Sequence, residues 1–131
     1  MFYNQYNLAA IYTNHIGYEI DYNAALNALF VVGKTSIAGC YDGILAMRLQ
    51  LGGAVFWSNV YNAPNCTYEL KGKTLVRKPG AGNNYVLGFE YKDPAGTSYP
   101  GLLQISNLGA LSALRNYYTG PAGPGFFSGS N

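Results

Sequence analysis

The chain has little charge. Of its 131 residues only 11% are Asp, Glu, Lys or Arg, less than half the share usual in soluble domains. That shortage excludes an intrinsically disordered chain and a coiled coil, both of which depend on charged side chains. Histidine occurs once, as His15, so a multi-histidine metal centre is excluded and a single imidazole is left to serve as a base. Two cysteines are present, Cys40 and Cys66. Their spacing matches no zinc pattern and fits either one disulfide or two thiols buried as small hydrophobes. No run approaches the roughly 18 apolar residues of a membrane-spanning helix. The segment Met1-Phe2-Tyr3-Asn4-Gln5-Tyr6 has neither the basic nor the apolar region of a signal peptide, and without one the sequon at Asn65-Cys66-Thr67 reads as chance. No metal and no cofactor is expected.

Apolar and aromatic residues are plentiful. They reach 49% and 15%, with 13 Tyr, 6 Phe and 1 Trp, and the length suits one domain with its own core. The aromatic count exceeds what such a core needs. Tyrosine buries much area at small entropic cost and keeps a hydroxyl for bonding, which suits subunit contacts or sugar stacking. A net charge of +2 gives little repulsion between copies, and uncharged polar side chains are cheaper to bury than ions.

Alternation points to antiparallel β structure. Met47, Leu49 and Leu51 share one face of a strand ending at Gly52-Gly53, and Ala54 to Tyr61 is rich in β-formers. Residues 66–71 and 73–77 read as two strands about Gly72, or as one strand bulged there. Lys78 to Asn84 and Asp93-Pro94-Ala95-Gly96 are turns, and Tyr85, Leu87, Phe89 and Tyr91 line one face between them. One or two short helices are expected. One would follow Asn23 as a cap, over residues 24–32, although the β-branched end of that stretch reads equally well as a strand. The other spans residues 107–118, where Leu108, Leu111, Leu114 and Tyr118 form a stripe, Ser106 or Asn107 caps, and Gly120-Pro121 stops. Over those twelve residues the chain resembles the helical segment of some pilin-like proteins, without that family's apolar anchoring helix, and nothing further is implied. The expected fold is therefore mainly β: an antiparallel sheet, sandwich or jelly-roll-like barrel in one domain over 1–131. An extended arm (1–16) and a Gly/Pro-rich tail (121–131) flank it. Leu49, Leu51, Val55, Trp57, Val76, Leu87, Phe89, Leu103, Leu111 and Leu114 form the expected core.

Signs of catalysis are sparse. Gly33-Lys34-Thr35-Ser36 echoes the end of a phosphate-binding loop, but the glycine five positions earlier is Ala28, and the stretch reads as a surface turn. Gly80-Ala81-Gly82 lacks the third glycine of a dinucleotide motif and reads as a hairpin loop. His15 could activate Cys40 or Cys66 only if the fold brought them together. Glu19 with Asp21, and Glu90 with Asp93, are the carboxylate pairs available for acid–base work. Lys71, Lys73 and Arg77 would share a face of an unbroken strand, with Lys78 at its end. Such a face could take nucleic-acid phosphates, and a bulge at Gly72 would break it.

The composition is that of a non-enzymatic structural or assembly protein forming homo-oligomers, such as a virion capsid, coat or decoration subunit. Its expected partners are itself and other components of a particle, with nucleic acid a candidate among them, and its expected place is a virion or extracellular assembly. Phe2, Tyr3, Tyr6, Phe126 and Phe127 are the candidate subunit contacts. The alternative is a carbohydrate-type binding module that stacks its ligand on Trp57, Tyr85, Phe89 and Tyr91.

Overall fold

Where apolar and polar residues alternate, the backbone can bury one face of a strand and wet the other, and the chain does so nearly throughout. The computed structural model describes residues 12–63, 68–80, 82–116 and 128–130. These hold strands β1 (Tyr12–Asn23), β2 (Ala28–Ile37), β3 (Gly43–Gln50), β4 (Val55–Asn62), β5 (Glu69–Arg77), β6 (Tyr85–Lys92), β7 (Ser98–Ile105), β8 (Leu111–Asn116) and β9 (Ser128–Ser130). They form two sheets, one of order β1-β2-β3-β4-β9 and one of order β5-β6-β7-β8. Every pairing is antiparallel. The inner faces meet in one core: Ala28, Phe30, Val32, Ile44, Ala46, Tyr61 and Ala63 from the first sheet, and Leu70, Leu75, Tyr85, Leu87, Phe89, Tyr91, Leu103 and Ile105 from the second. The mainly β, antiparallel expectation holds, and the arrangement fits a sandwich.

Among the described residues neither expected helix forms, and the end of 24–32 takes its strand alternative. Residues 24–27 form a turn and residues 28–37 are β2. Asn23 does cap, its Oδ1 accepting from the Leu26 amide at 3.2 Å, but it caps a hairpin turn. Residues 107–109 form the β7–β8 turn, and 111–116 are β8. There Ser106 Oγ accepts the amides of Leu108 and Ala110, each at 3.2 Å, and Gly109 sits at φ +84°. That left-handed angle ends any helix, while β7 supplies a ladder that an isolated amphipathic turn lacks.

Bulges explain the misplaced core residues. Between Gly72 and Thr74 the β5–β6 register slips, so Leu70 and Leu75 both point inward while Val76 is exposed. A slip between Arg48 and Leu49 sets Val55 opposite Leu49, and Val55 is exposed, as are Leu51 in the turn and Leu111. Leu49, Leu87, Phe89 and Leu103 are buried, and Trp57 packs half-buried against the core. The Leu114 side chain lies outside the described set.

Gly72 lets β5 approach the other sheet. A Cβ there would lie 2.6 Å from Val32 Cγ2, 2.8 Å from the Gly33 carbonyl oxygen and 2.9 Å from Ile44 Cγ2. Gly72→Ala is therefore expected to cost about 1–3 kcal/mol by overpacking, read as a lower urea midpoint at unchanged slope. Gly52→Ala, which meets nothing within 4 Å, serves as the control, and equal midpoints for the two would refute the close approach.

Candidate functional site

Polar groups bridge the sheets at both margins. On the inner face of β1, Glu19 Oε2 accepts the Leu75 amide at 2.9 Å and Asp21 Oδ2 accepts the Tyr85 hydroxyl at 2.8 Å. Fully buried Asn23 reaches the same tyrosine oxygen at 3.2 Å. At the other margin the β7–β8 turn offers two carbonyls. Asn107 O accepts from Trp57 Nε1 at 2.8 Å and Arg48 Nη1 at 3.2 Å, and Gly109 O accepts from Asn59 Nδ2 and the Tyr61 hydroxyl, both at 2.7 Å.

These bonds occupy the groups that acid–base chemistry would use. Glu19 and Asp21 do share a face, but each carboxylate accepts from the opposite sheet. Asp93 closes the β6–β7 turn through the Thr97 amide at 2.9 Å, and Glu90 meets Ser98 Oγ at 3.3 Å. His15 Nδ1 lies 2.7 Å from Thr35 Oγ1, whose hydroxyl also reaches the Thr13 carbonyl at 3.1 Å, so the imidazole pins the bulged start of β1. Cys40 is disulfide-bonded, and the sequence has one other cysteine. A sulfur held in a disulfide carries no thiolate for His15 to activate. Among the described residues no group of three His, Cys, Asp or Glu is placed to hold a metal ion, and no helix is long and apolar enough to cross a membrane.

Gly33-Lys34-Thr35-Ser36 is not the expected surface turn. It runs through β2, with Thr35 fully buried and Lys34 Nζ 2.7 Å from Asp42 Oδ2. That hydrogen bond raises the ammonium pKa above its ordinary value. Gly80 and Gly82 do fall in the β5–β6 hairpin connection, closed by the Lys78 amide on the Asn84 carbonyl at 2.8 Å, while Ala81 lies outside the described residues.

The basic residues do not share a face. Lys71 alternates with inward-facing Leu70 and Gly72, so it points away from the core. Past the bulge the parity inverts, placing Arg77 on the side of Leu75, opposite Tyr85 in register. Lys73 at the bulge lies 5.1 Å from the Tyr18 ring centroid, and Lys78 reaches Gln104 Oε1 at 3.4 Å. On the outer face the register sets Lys71 against Glu90 and Lys92 against Glu69. The surface is mixed in sign, and the shared-parity argument for a phosphate-binding face fails.

The proposed sugar platforms are largely internal. Tyr85, Phe89 and Tyr91 are buried; Tyr85 stacks on Phe30 at 4.2 Å and Tyr91 on Tyr99 at 5.2 Å. A void between the sheets, lined by Phe30, Val32, Trp57 and Leu87 among others, measures about 10 Å³, at the threshold for one water. An open groove of about 370 Å³ lies at the sandwich mouth beside Arg48, Gln50, Leu51 and Phe56. The Arg48 guanidinium already stacks there on Phe56 at 4.3 Å.

What sequence reasoning missed is the outer face of the first sheet. Three apolar rows cross it in register: Ile20–Val31–Met47, Tyr22–Leu29–Leu49, and Leu45–Val60. Leu45, Met47, Leu49 and Val60 form a second buried cluster, with Tyr12, Leu29, Val31 and Ile37 packed against it. Towards the β1 edge the same face opens, and Ile20 and Tyr22 are 58% and 51% exposed. The only sequence trace of this is Gly43-Ile44-Leu45-Ala46-Met47, apolar on both parities. The candidate contacts Phe2, Tyr3, Tyr6, Phe126 and Phe127, and Cys66 with its sequon, lie outside the described residues. Compared with known proteins, the chain matches no family model, no curated protein and no solved structure.

Burial, reinforced by the bond to Asp21, pushes the Tyr85 hydroxyl up to about 12, and burial also raises Tyr61. An unfolded tyrosine ionises near 10. The folded state therefore keeps a proton that the unfolded state loses in this window. The associated stability is whole below pH 10 and disappears as pH rises through about 12. Stability measured from pH 9 to pH 11.5 should fall less steeply in Tyr85→Phe than in the parent chain, although the variant starts lower for want of its Asp21 and Asn23 bonds. Parallel curves would contradict the assignment.

Proposed function

We propose that this chain is a non-enzymatic structural subunit acting through contacts with its own copies, of the kind that builds a virion capsid, coat or decoration layer. The observation that carries the reading is the exposed apolar pair Ile20 and Tyr22, which continues the Val31–Met47 and Leu29–Leu49 rows to the sheet edge. Apolar surface that runs unbroken from a buried cluster to an exposed rim is the kind that protein interfaces use. The low charge supports the same reading, since few ions would be desolvated on contact. The outer face of the β5–β8 sheet, where lysines and glutamates oppose each other, suits solvent.

The groups that a small enzyme would need are engaged in holding the fold together. A carbohydrate module would need its rings on the surface, and three of the four proposed are in the core. The assembly reading keeps the surface features that neither alternative uses.

The parent chain, examined by light scattering at low and moderate salt, is expected to form a discrete oligomer whose mass is insensitive to ionic strength, as an apolar contact requires. The double variant Ile20→Lys/Tyr22→Lys should lower that mass several-fold with an unchanged far-UV spectrum. A parent chain that stays monomeric at high concentration would overturn the reading.

A further inference from the structure

One arginine of the sandwich has no acid beside it. Arg48 is half-buried near the end of β3, on the parity of Ile44 and Ala46. Its guanidinium lies 4.3 Å from the Phe56 ring centroid and 5.8 Å from that of Phe30. Its hydrogen bonds leave from Nη1 alone, to the Asn107 carbonyl at 3.2 Å and to Asn107 Oδ1 at 3.4 Å. The sequence holds six Asp and Glu, all of them among the described residues, and none forms an ion pair with Arg48. Glu19, Asp21, Asp42, Glu90 and Asp93 are each bonded elsewhere, and Glu69 stands opposite Lys92. A neutral carbonyl and two ring faces compensate a desolvated cation only in part. Nε and Nη2, the edge that grips a carboxylate through two parallel bonds, have no protein partner.

The groove at the sandwich mouth supplies the other half of a site. It measures about 370 Å³, a size typical of small-molecule sites, and Arg48 is the one charged side chain that lines it. Leu26 and Leu51 give it apolar walls, and Asn27 and Gln50 bring side-chain amides. Asn27 Oδ1 accepts the Tyr22 hydroxyl at 3.3 Å, which leaves its Nδ2 as a donor. Phe56 is the extra residue where the β3–β4 register slips between Arg48 and Leu49, and its ring is half exposed. Bulges re-aim side chains in this way beside binding sites.

We propose that this groove binds a small monocarboxylate carried on a ring, with the carboxylate on the free edge of Arg48 and the ring against Phe56 and Leu51. One cation matches one negative charge. A phosphate group, which carries up to two, would meet no second lysine or arginine among the groove's lining residues. Aryl carboxylates and sugar acids share the required chemistry. The site does not depend on whether copies associate through Ile20 and Tyr22.

The test titrates isotope-labelled full-length protein with benzoate and with glucuronate, following the magnetic-resonance signals of Arg48 Nε and the Gly52 amide. Saturable shifts at both positions are expected with at least one acid, and the acid that binds more tightly tells an aryl from a sugar ligand. Acetate and benzyl alcohol, lacking the ring and the carboxylate respectively, should bind several-fold more weakly. Arg48→Gln should abolish saturation. Should that variant not fold for want of its Asn107 bonds, Phe56→Ala keeps them and is expected to weaken binding several-fold with an unchanged far-UV spectrum. Absence of saturable shifts, equal affinity for acetate or benzyl alcohol, or equal shifts at Arg77 Nε would overturn the proposal. Undiminished affinity in Phe56→Ala would do so as well.

Discussion

Two backbone carbonyls hold the sandwich in register. Asn107 O and Gly109 O, in one short turn of the second sheet, receive four donors from the first: Arg48, Trp57, Asn59 and Tyr61. Each bond taken singly stabilises by about 1 kcal/mol net. The larger effect is the cost of moving the turn, which would strand buried donors at 1–3 kcal/mol apiece, on the order of what such groups cost when unpaired. The arrangement also demands glycine at 109. A Cβ there would sit 2.6 Å from Asn59 Nδ2 and 3.1 Å from the Trp57 ring, and the residue's φ of +84° is one that other residues rarely adopt. The far margin repeats the logic with Glu19, Asp21 and Asn23 reaching Leu75 and Tyr85. Apolar packing fills the space between the margins, and directional bonds at the edges fix how the sheets align.

This division of labour explains which features were legible in the sequence. Strands with strict alternation and strong turns, such as Tyr85–Lys92 between Asn83-Asn84 and Asp93-Pro94, could be read almost to the residue. The two helical readings failed for a shared reason. Leu108, Leu111 and Leu114 fit a helical period, and Asn23 and Ser106 have capping chemistry, but the same side chains serve hairpin turns once a neighbouring strand is available. Nothing local announces the Gly109 contact with Asn59, fifty residues away in sequence.

Bulges account for the remaining errors. One extra residue at Lys73 inverts the parity of β5, so Val76 leaves the core and Arg77 leaves the face that Lys71 occupies. A parity argument holds only as far as the next bulge, and Gly72 marked the place without saying which way the chain would turn. The aromatic excess was misassigned for a different reason. Composition counts rings without locating them, and Tyr61, Tyr85 and Tyr91 lie inside. Their hydroxyls raise the cost of burial, and the hydrogen bonds of Tyr61 and Tyr85 offset it.

The two outer faces differ in kind, and that difference bears on function more than any single residue. On the β5–β8 sheet, Lys71 opposes Glu90 and Lys92 opposes Glu69, a pattern that is cheap in water and costly to cover, because every ion would have to find a partner on desolvation. On the β1–β4 sheet, the rows through Leu45, Met47 and Leu49 contain no ion at all, so covering them costs little and removes apolar area from water. A chain with one ionic face and one apolar face has a built-in direction, because desolvation costs less on the apolar side. The centre of that side is buried, and the margin at Ile20 and Tyr22 is exposed. Any partner that uses this direction must therefore meet β1 first, at the edge strand whose bulges at residues 13–16 and 17–19 discourage simple strand addition. Side-chain packing on the exposed rim, and not an extended ladder of backbone hydrogen bonds, is the mode of association left open by this geometry.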